Sequence, residues 1–224
     1  HGSDLFHLPG RIPLGIDRQS GELVLIRQYQ GISVMAVSAF LAPAYTLFHH
    51  PAYQTQPAAP RLPLYAFSAI GWHEDQFVVP AVRVDADTRQ DHDQYTPQQV
   101  ENSAARMLQR YPDNRLARHL IENCLLTYRC PAARNFALER WEMPLPTAPA
   151  CNSRCFGCIS KQPEDGFPPS QDRLDFIPTP EEIARIAVPH LQAADRPVAS
   201  FGQGCEGEPL TNPQLLEEAI RLIR

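Results

Sequence analysis

The sequence predicts an α/β fold: a small α+β domain over residues 1–143, then over residues 144–224 the start of a parallel, partial (β/α) barrel. Three observations lead there. Short β-prone runs separated by Pro and Gly fill the first 84 residues, and the apolar spacing turns helical from Pro97. After Thr179 the order becomes helix, strand, Gly-rich loop, helix, which is the alternation of parallel α/β architecture.

In chain order, Asp17 to Gly21 reads as a turn, and Glu22–Ile26, Ile32–Phe40, Leu64–Ile70 and Phe77–Val84 read as strands. Ala42 to Pro63 is rich in Pro, Ala and Gln and is expected as a loop. Val100, Ala104, Met107 and Leu108 share one helical face, and Leu116, Leu120, Ile121, Cys124 and Leu125 share another. Pro144 to Pro149 is expected to link the two domains. Thr179-Pro180-Glu181-Glu182 is a capping box with Pro at the first helical position, followed by Ile183, Ile186, Ala187 and Leu191 at helical spacing. Asp195-Arg196-Pro197 ends that helix, and Val198–Phe201 reads as a short buried strand. Asn212-Pro213 opens a last helix with Leu215, Leu216, Ala219 and Ile223 on its apolar side. A barrel needs further β/α units to close, and these are expected beyond Arg224, so the chain reads as a fragment of a longer protein.

With 20 basic and 25 acidic residues, the 224-residue chain carries a formal charge of −5. That argues against general nucleic-acid binding, which needs a cationic surplus facing phosphate. The basic set is 19 Arg and one Lys, Lys161, a compositional bias rather than a phosphate-binding face. The most apolar stretch, Ile32 to Tyr45, falls short of the ~20 residues of a spanning helix and is interrupted by Pro43, so no membrane segment is expected. No secretory signal is read, which predicts a cytoplasmic setting with reduced thiols.

Six cysteines are too few for a disulfide scaffold, yet Cys151, Cys155 and Cys158 fall within the eight residues CNSRCFGC. Structural zinc normally takes four ligands drawn from paired clusters, and no second pair lies nearby. Three thiolates on one short loop suit a [4Fe–4S] cluster that retains an open coordination position on its fourth iron.

The C-x3-C-x2-C spacing, with Phe156 inside its last pair, resembles the cluster loop of the radical S-adenosylmethionine (radical SAM) superfamily. About fifty residues later, Ser200-Phe201-Gly202-Gln203-Gly204-Cys205-Glu206-Gly207-Glu208-Pro209-Leu210 resembles the Gly-Gly-Glu-Pro motif with which such enzymes hold the methionine amine of their cofactor. One position departs, because Glu206 stands where the family places its first Gly. The likeness spans roughly Pro144 to Arg224.

The resemblance implies a radical SAM enzyme. Cys151, Cys155 and Cys158 would anchor a [4Fe–4S] cluster, and Phe156, Glu206, Gly207 and Glu208 would contact S-adenosylmethionine. Reductive cleavage of that cofactor would give a 5′-deoxyadenosyl radical acting on a small-molecule, peptide or protein substrate that the motifs do not specify. The electron donor would be of the flavodoxin or ferredoxin kind. The fragment by itself is expected to be a poor catalyst, and no residue is assigned to catalysis.

Two other classes compete. An electron-transfer or redox-sensing iron–sulfur protein would need a fourth thiol from Cys130 or Cys205, and a zinc-stabilised binding module would need His190 or Cys205. Cys124 falls on an apolar helical stripe and is expected to pack as a small hydrophobe. Cys205 is expected to pack beneath the cofactor. His49 and His50 read as loop residues, His73-Glu74-Asp75 as a polar turn, and Trp72 and Trp141 as core.

Overall fold

Tight turns between short strands shape the first of two compact units, residues 1–94. The computed structural model describes residues 5–91, 94–164, 166–202 and 205–224. Strand β1 (Phe6–His7) leads to β2 (Arg11–Ile16), which pairs antiparallel with β3 (Leu23–Leu25) through its second half and with β8 (Tyr53–Thr55) through its first. β4 (Gln28–Tyr29) and β5 (Ile32–Ser33) make a hairpin, and β6 (Val37–Ser38) returns to pair with β1. β7 (Tyr45–Leu47) pairs with β11 (Ala81–Arg83), and β9 (Gly71–His73) with β10 (Gln76–Val78).

The β4–β5 and β9–β10 hairpins each turn on two residues of positive φ, Gln30 (49°) with Gly31 (79°) and Glu74 (48°) with Asp75 (59°). That turn geometry matches the twist of antiparallel strands, so His73-Glu74-Asp75 is a hairpin end. The Asp17 carboxylate accepts the amides of Gln19 and Ser20 at 2.9 and 2.8 Å, fixing the turn read from the sequence.

Three expectations for this unit are corrected. Ala42 to Pro63 is not wholly loop, because β7 and β8 lie within it. Leu64–Ile70 forms no strand and offers one bridge, Ser68 to Ala39. Strand pairing depends on the facing partner more than on a segment's own apolar content. Trp72 is not core: it stands 61% exposed on β9 and packs edge-on against its cross-strand neighbour Phe77.

The second unit, residues 95–224, carries all of the long helices. α1 (Pro97–Arg110) begins with a complete Thr96–Gln99 capping box and Pro at its first turn. Asn114 caps the short α2 (Arg115–Arg118), which runs straight into a π-helix, His119–Thr127. Pro131 opens α3 (Pro131–Ala137). α4 (Pro180–Ala193) has the Thr179–Glu182 capping box expected from the sequence, and Asn212 caps α5 (Pro213–Ile223).

The parallel pair is β12 (Glu142–Leu145) and β13 (Val198–Phe201), with Glu142 opposite Val198 and Leu145 opposite Phe201. Met143 and Leu145 are fully buried in one core with Met107, Leu120, Phe136, Ile183 and Ile186. This core explains why the compact units divide at Gln94, whereas composition suggested 143: the middle helices bury their apolar faces against β12. Pro144 and Leu145 also belong to a strand and not to a linker. Pro144 has no N–H for a ladder, which a strand paired on one side tolerates. Val198, expected buried, is 48% exposed.

β12 and β13 are the parallel strands among the described residues, and α4 connects them. Among the described residues, no helix is long and apolar enough to cross a membrane.

Candidate functional site

Because β12 and β13 run parallel and in register, their carboxyl ends, Leu145 and Phe201, lie side by side. In α/β folds this edge is where loops carrying chemistry gather. The chain leaves β12 toward Cys151 and leaves β13 toward Glu206. Gln203 and Gly204, part of the Gly-rich motif, lie outside the described residues.

The two loops are fastened together by backbone. Gly207 donates its N–H to the Ala148 carbonyl at 2.8 Å, and Glu208 donates to the Ala150 carbonyl at 2.7 Å, one residue before Cys151. A Cβ on Gly207 would lie 2.0 Å from the Ala148 oxygen and 2.2 Å from that of Ala150. The glycine is therefore required by the approach of the two protein segments.

Glu208 is half-buried and turns back on its own chain. Its carboxylate caps the single turn Pro209–Thr211 by accepting the Leu210 amide at 3.0 Å. Glu206 is buried, and its carboxylate accepts hydrogen bonds from the Leu174 amide and from His119 Nε2, the latter at 2.8 Å. It is thus committed to protein partners, where the resemblance suggested a cofactor contact.

All six cysteines are free thiols. Cys151 and Cys155 are exposed and Cys158 is half-buried, on a loop without helix or strand. Arg173 reaches into this loop with three donors: Nη2 to Cys158 Sγ at 3.4 Å, Nε to Ser160 Oγ at 3.1 Å and Nη1 to the Pro149 carbonyl at 3.3 Å. Burial works to raise the Cys158 thiol pKa. The Ser160 amide and hydroxyl, the Lys161 amide and the Arg173 charge outweigh it and hold the thiol below its ordinary value. Gln162 donates to the carbonyls of Phe156 and Cys158, closing the turn between them. The Phe156 ring is 85% exposed and meets Phe167 edge-on at 6.3 Å.

As a donor set, three free thiols on an irregular, accessible loop fit a [4Fe–4S] cluster, with the Cys158 thiol held below its ordinary value. The three thiols are not drawn together in this structure. The His, Cys, Asp and Glu side chains that do converge, among the described residues, are His119, Cys124 and Glu206, whose ligand atoms lie within 4.8 Å of one another.

The remaining cysteines are held by the fold. Cys124 is buried on the π-helix, and burial, reinforced by the nearby Glu206 carboxylate, pushes its thiol pKa far up. Burial also raises the Cys205 thiol to about 11, while the Cys205 carbonyl accepts the Gln171 amide at 3.1 Å. Cys130 caps α3. His190 is buried in α4 against the Phe136 ring. In unit one, His50 Nδ1 lies 3.0 Å from the Phe67 carbonyl.

Sequence reasoning passed over His119 and Arg173. The signal for His119 was a polar ring on the Leu116, Leu120, Cys124 stripe. Arg173 has no local signature, since its partners are distant in the chain. Compared with known protein families, characterised proteins and solved structures, the chain matches none.

Proposed function

We propose that this chain is a radical SAM enzyme, acting in the cytoplasm through a [4Fe–4S] cluster on Cys151, Cys155 and Cys158. The observation that carries this reading is the pair of backbone bonds from Gly207 and Glu208 to Ala148 and Ala150. These bonds join the segment after β13 to the residues just before Cys151, at the carboxyl ends of two adjacent parallel strands, which supports a shared site for the two motifs.

Cys151, Cys155 and Cys158 would hold the cluster, which would supply the reducing electron for radical chemistry with S-adenosylmethionine. The chain's own residues bind and orient. The three thiols are the iron ligands, and Arg173 lowers the proton affinity of Cys158 and ties its loop to Pro149. Gly207 lets the second loop close on the first, and the Glu208 carboxylate lies at the rim of that junction, where a methionine ammonium has a charged partner. Phe156, exposed between Cys155 and Cys158, offers an apolar face to an adenine. The electron donor is of the flavodoxin or ferredoxin class, and the substrate is a small molecule, peptide or protein. The acidic net charge gives nucleic acid no electrostatic foothold.

The test is electron paramagnetic resonance of the anaerobically reconstituted, reduced protein with and without S-adenosylmethionine. A [4Fe–4S] signal that changes on adding the cofactor supports the reading. A cluster signal indifferent to it, or no iron uptake, overturns it.

A further inference from the structure

His119, Cys124 and Glu206 are all more than nine-tenths buried, and none of them belongs to the cysteine loop. We propose that His119 Nε2, Cys124 Sγ and a Glu206 carboxylate oxygen form a closed site for a divalent transition-metal ion of the zinc class.

Convergence is the first argument: the three ligand atoms lie within 4.8 Å of one another, and His119 Nε2 is 2.8 Å from Glu206 Oε1. Ligands of one tetrahedral zinc, at bond lengths of about 2.0–2.3 Å, stand roughly 3.3–3.6 Å apart. The His–Glu pair therefore needs to open by about half an ångström, and the thiol to close by at most about 1 Å, to admit the ion.

Backbone geometry is the second. His119 and Cys124 are five residues apart, a spacing that points away from a common face in an α-helix of 3.6 residues per turn. Here the segment His119–Thr127 is π-helical, with hydrogen bonds running five residues back, so the two side chains return to one side. Such helical widening is uncommon and concentrates at functional sites.

Outer partners are the third. The Asn123 amide lies 3.2 Å from His119 Nδ1, and the second oxygen of Glu206 takes the Leu174 N–H. Metal sites have this arrangement: the other imidazole nitrogen and the other carboxylate oxygen are each held by a neighbour. In the metal-free structure Nε2–H donates to Glu206 and Nδ1 faces the Asn123 NH2 group; a metal on Nε2 would move the ring proton to Nδ1 and turn the Asn123 oxygen toward it. The mixed N, S, O set favours zinc over calcium or magnesium, which take oxygen. Binding displaces the Cys124 proton to solvent. Water would complete the shell. The ion would clamp the π-helix to the loop that carries Gly207 and Glu208.

This site is independent of the iron–sulfur reading, and its test removes the loop thiols. The chain carrying Cys151→Ala, Cys155→Ala and Cys158→Ala is titrated anaerobically with Co²⁺ as a spectroscopic stand-in for zinc. The expected result is one equivalent bound, with a thiolate-to-cobalt charge-transfer band that zinc abolishes. Adding Cys124→Ala removes the band. Asn123→Ala, which touches no metal, weakens binding 10- to 100-fold while circular dichroism stays unchanged. No band in the triple variant, or a band that survives Cys124→Ala, overturns the site. The intact chain provides a second reading if the triple variant unfolds: there Cys124→Ala lowers the cobalt stoichiometry by one, and an unchanged stoichiometry overturns the site equally.

Discussion

The amide of Gly207 donates to the carbonyl of Ala148 at 2.8 Å, joining the segment after β13 to the segment after β12 with no room for a side chain between them. The atom a Cβ would strike is a backbone oxygen, which cannot swing aside as a side chain would. Gly207→Ala must therefore either break this bond or displace residues 148–150. A cost of about 1–3 kcal/mol or more is expected, the range of overpacked interiors. Urea denaturation followed by circular dichroism measures it. A variant as stable as the parent shows that the two loops are not clamped in this way.

Arg173 gives the loop a testable electrostatic signature. In metal-free protein the Cys158 thiol lies below its ordinary value of 9.0, and Arg173 is one of the groups that hold it there. A lowered pKa means that thiolate, the species that alkylates, persists to lower pH. Replacing Arg173 by Gln should shift the midpoint of the pH–rate profile for Cys158 alkylation upward, read by mass spectrometry of the labelled peptide. An unmoved midpoint removes Arg173 from this role.

How much of this was legible in the sequence depends on how local each signal is. The Thr179–Glu182 capping box, the Asn212 cap and the 198–201 strand are set by residues a few positions apart, and they form as their local chemistry dictates. The Gly-rich motif was legible as a motif, but the reason for Gly207 was not. Its Cβ space is filled by Ala148 and Ala150, about sixty residues away in sequence. β12 was hidden because Pro144 within it and Pro146 just after it read as a linker, whereas its place in the structure comes from pairing with β13 and burial of Met143 and Leu145. His119 was hidden for the same kind of reason: its partners Glu206 and Asn123 converge only when a π-helical segment and a distant loop meet.

Glu182 ties α4 to the start of α2 and makes a pH prediction. Its carboxylate accepts Arg115 Nε at 2.8 Å and Nη2 at 2.7 Å, and the Thr179 amide at 2.8 Å. The Arg115 hydrogen bonds are the main reason its pKa falls below the ordinary 4.5, against an opposing push from burial. A depressed folded-state value stabilises the fold above the unfolded pKa, and that contribution disappears as pH falls through the folded pKa. At neutral pH Glu182→Ala should therefore cost about 1–2 kcal/mol, combining a lost cap with a partly exposed ion pair. The difference between parent and variant should shrink as pH falls below the ordinary carboxylate value of 4.5 and through the lowered folded-state value. Urea midpoints at pH 7 and pH 3 decide it, and a difference that is constant with pH rules out the ionised carboxylate as its source.

Thiol accessibility separates the cysteines before any metal is added. Cys151 and Cys155 are exposed, while Cys124 is buried with its pKa driven far upward by loss of solvent. In the native apoprotein, iodoacetamide should label Cys151 and Cys155 quickly and leave Cys124 unlabelled until urea opens the core, with a rate contrast of at least about 100-fold. Reconstitution with iron and sulfide should then protect Cys151, Cys155 and Cys158 together. Serine at any one of the three should abolish protection of the other two, because a cluster cannot be held by two thiolates on so exposed a loop. Alanine at Cys130 should leave that protection intact, since Cys130 sits at the start of α3 and outside the loop. Protection that depends on Cys130 would instead make it a fourth ligand, close the coordination shell and leave S-adenosylmethionine no iron to bind.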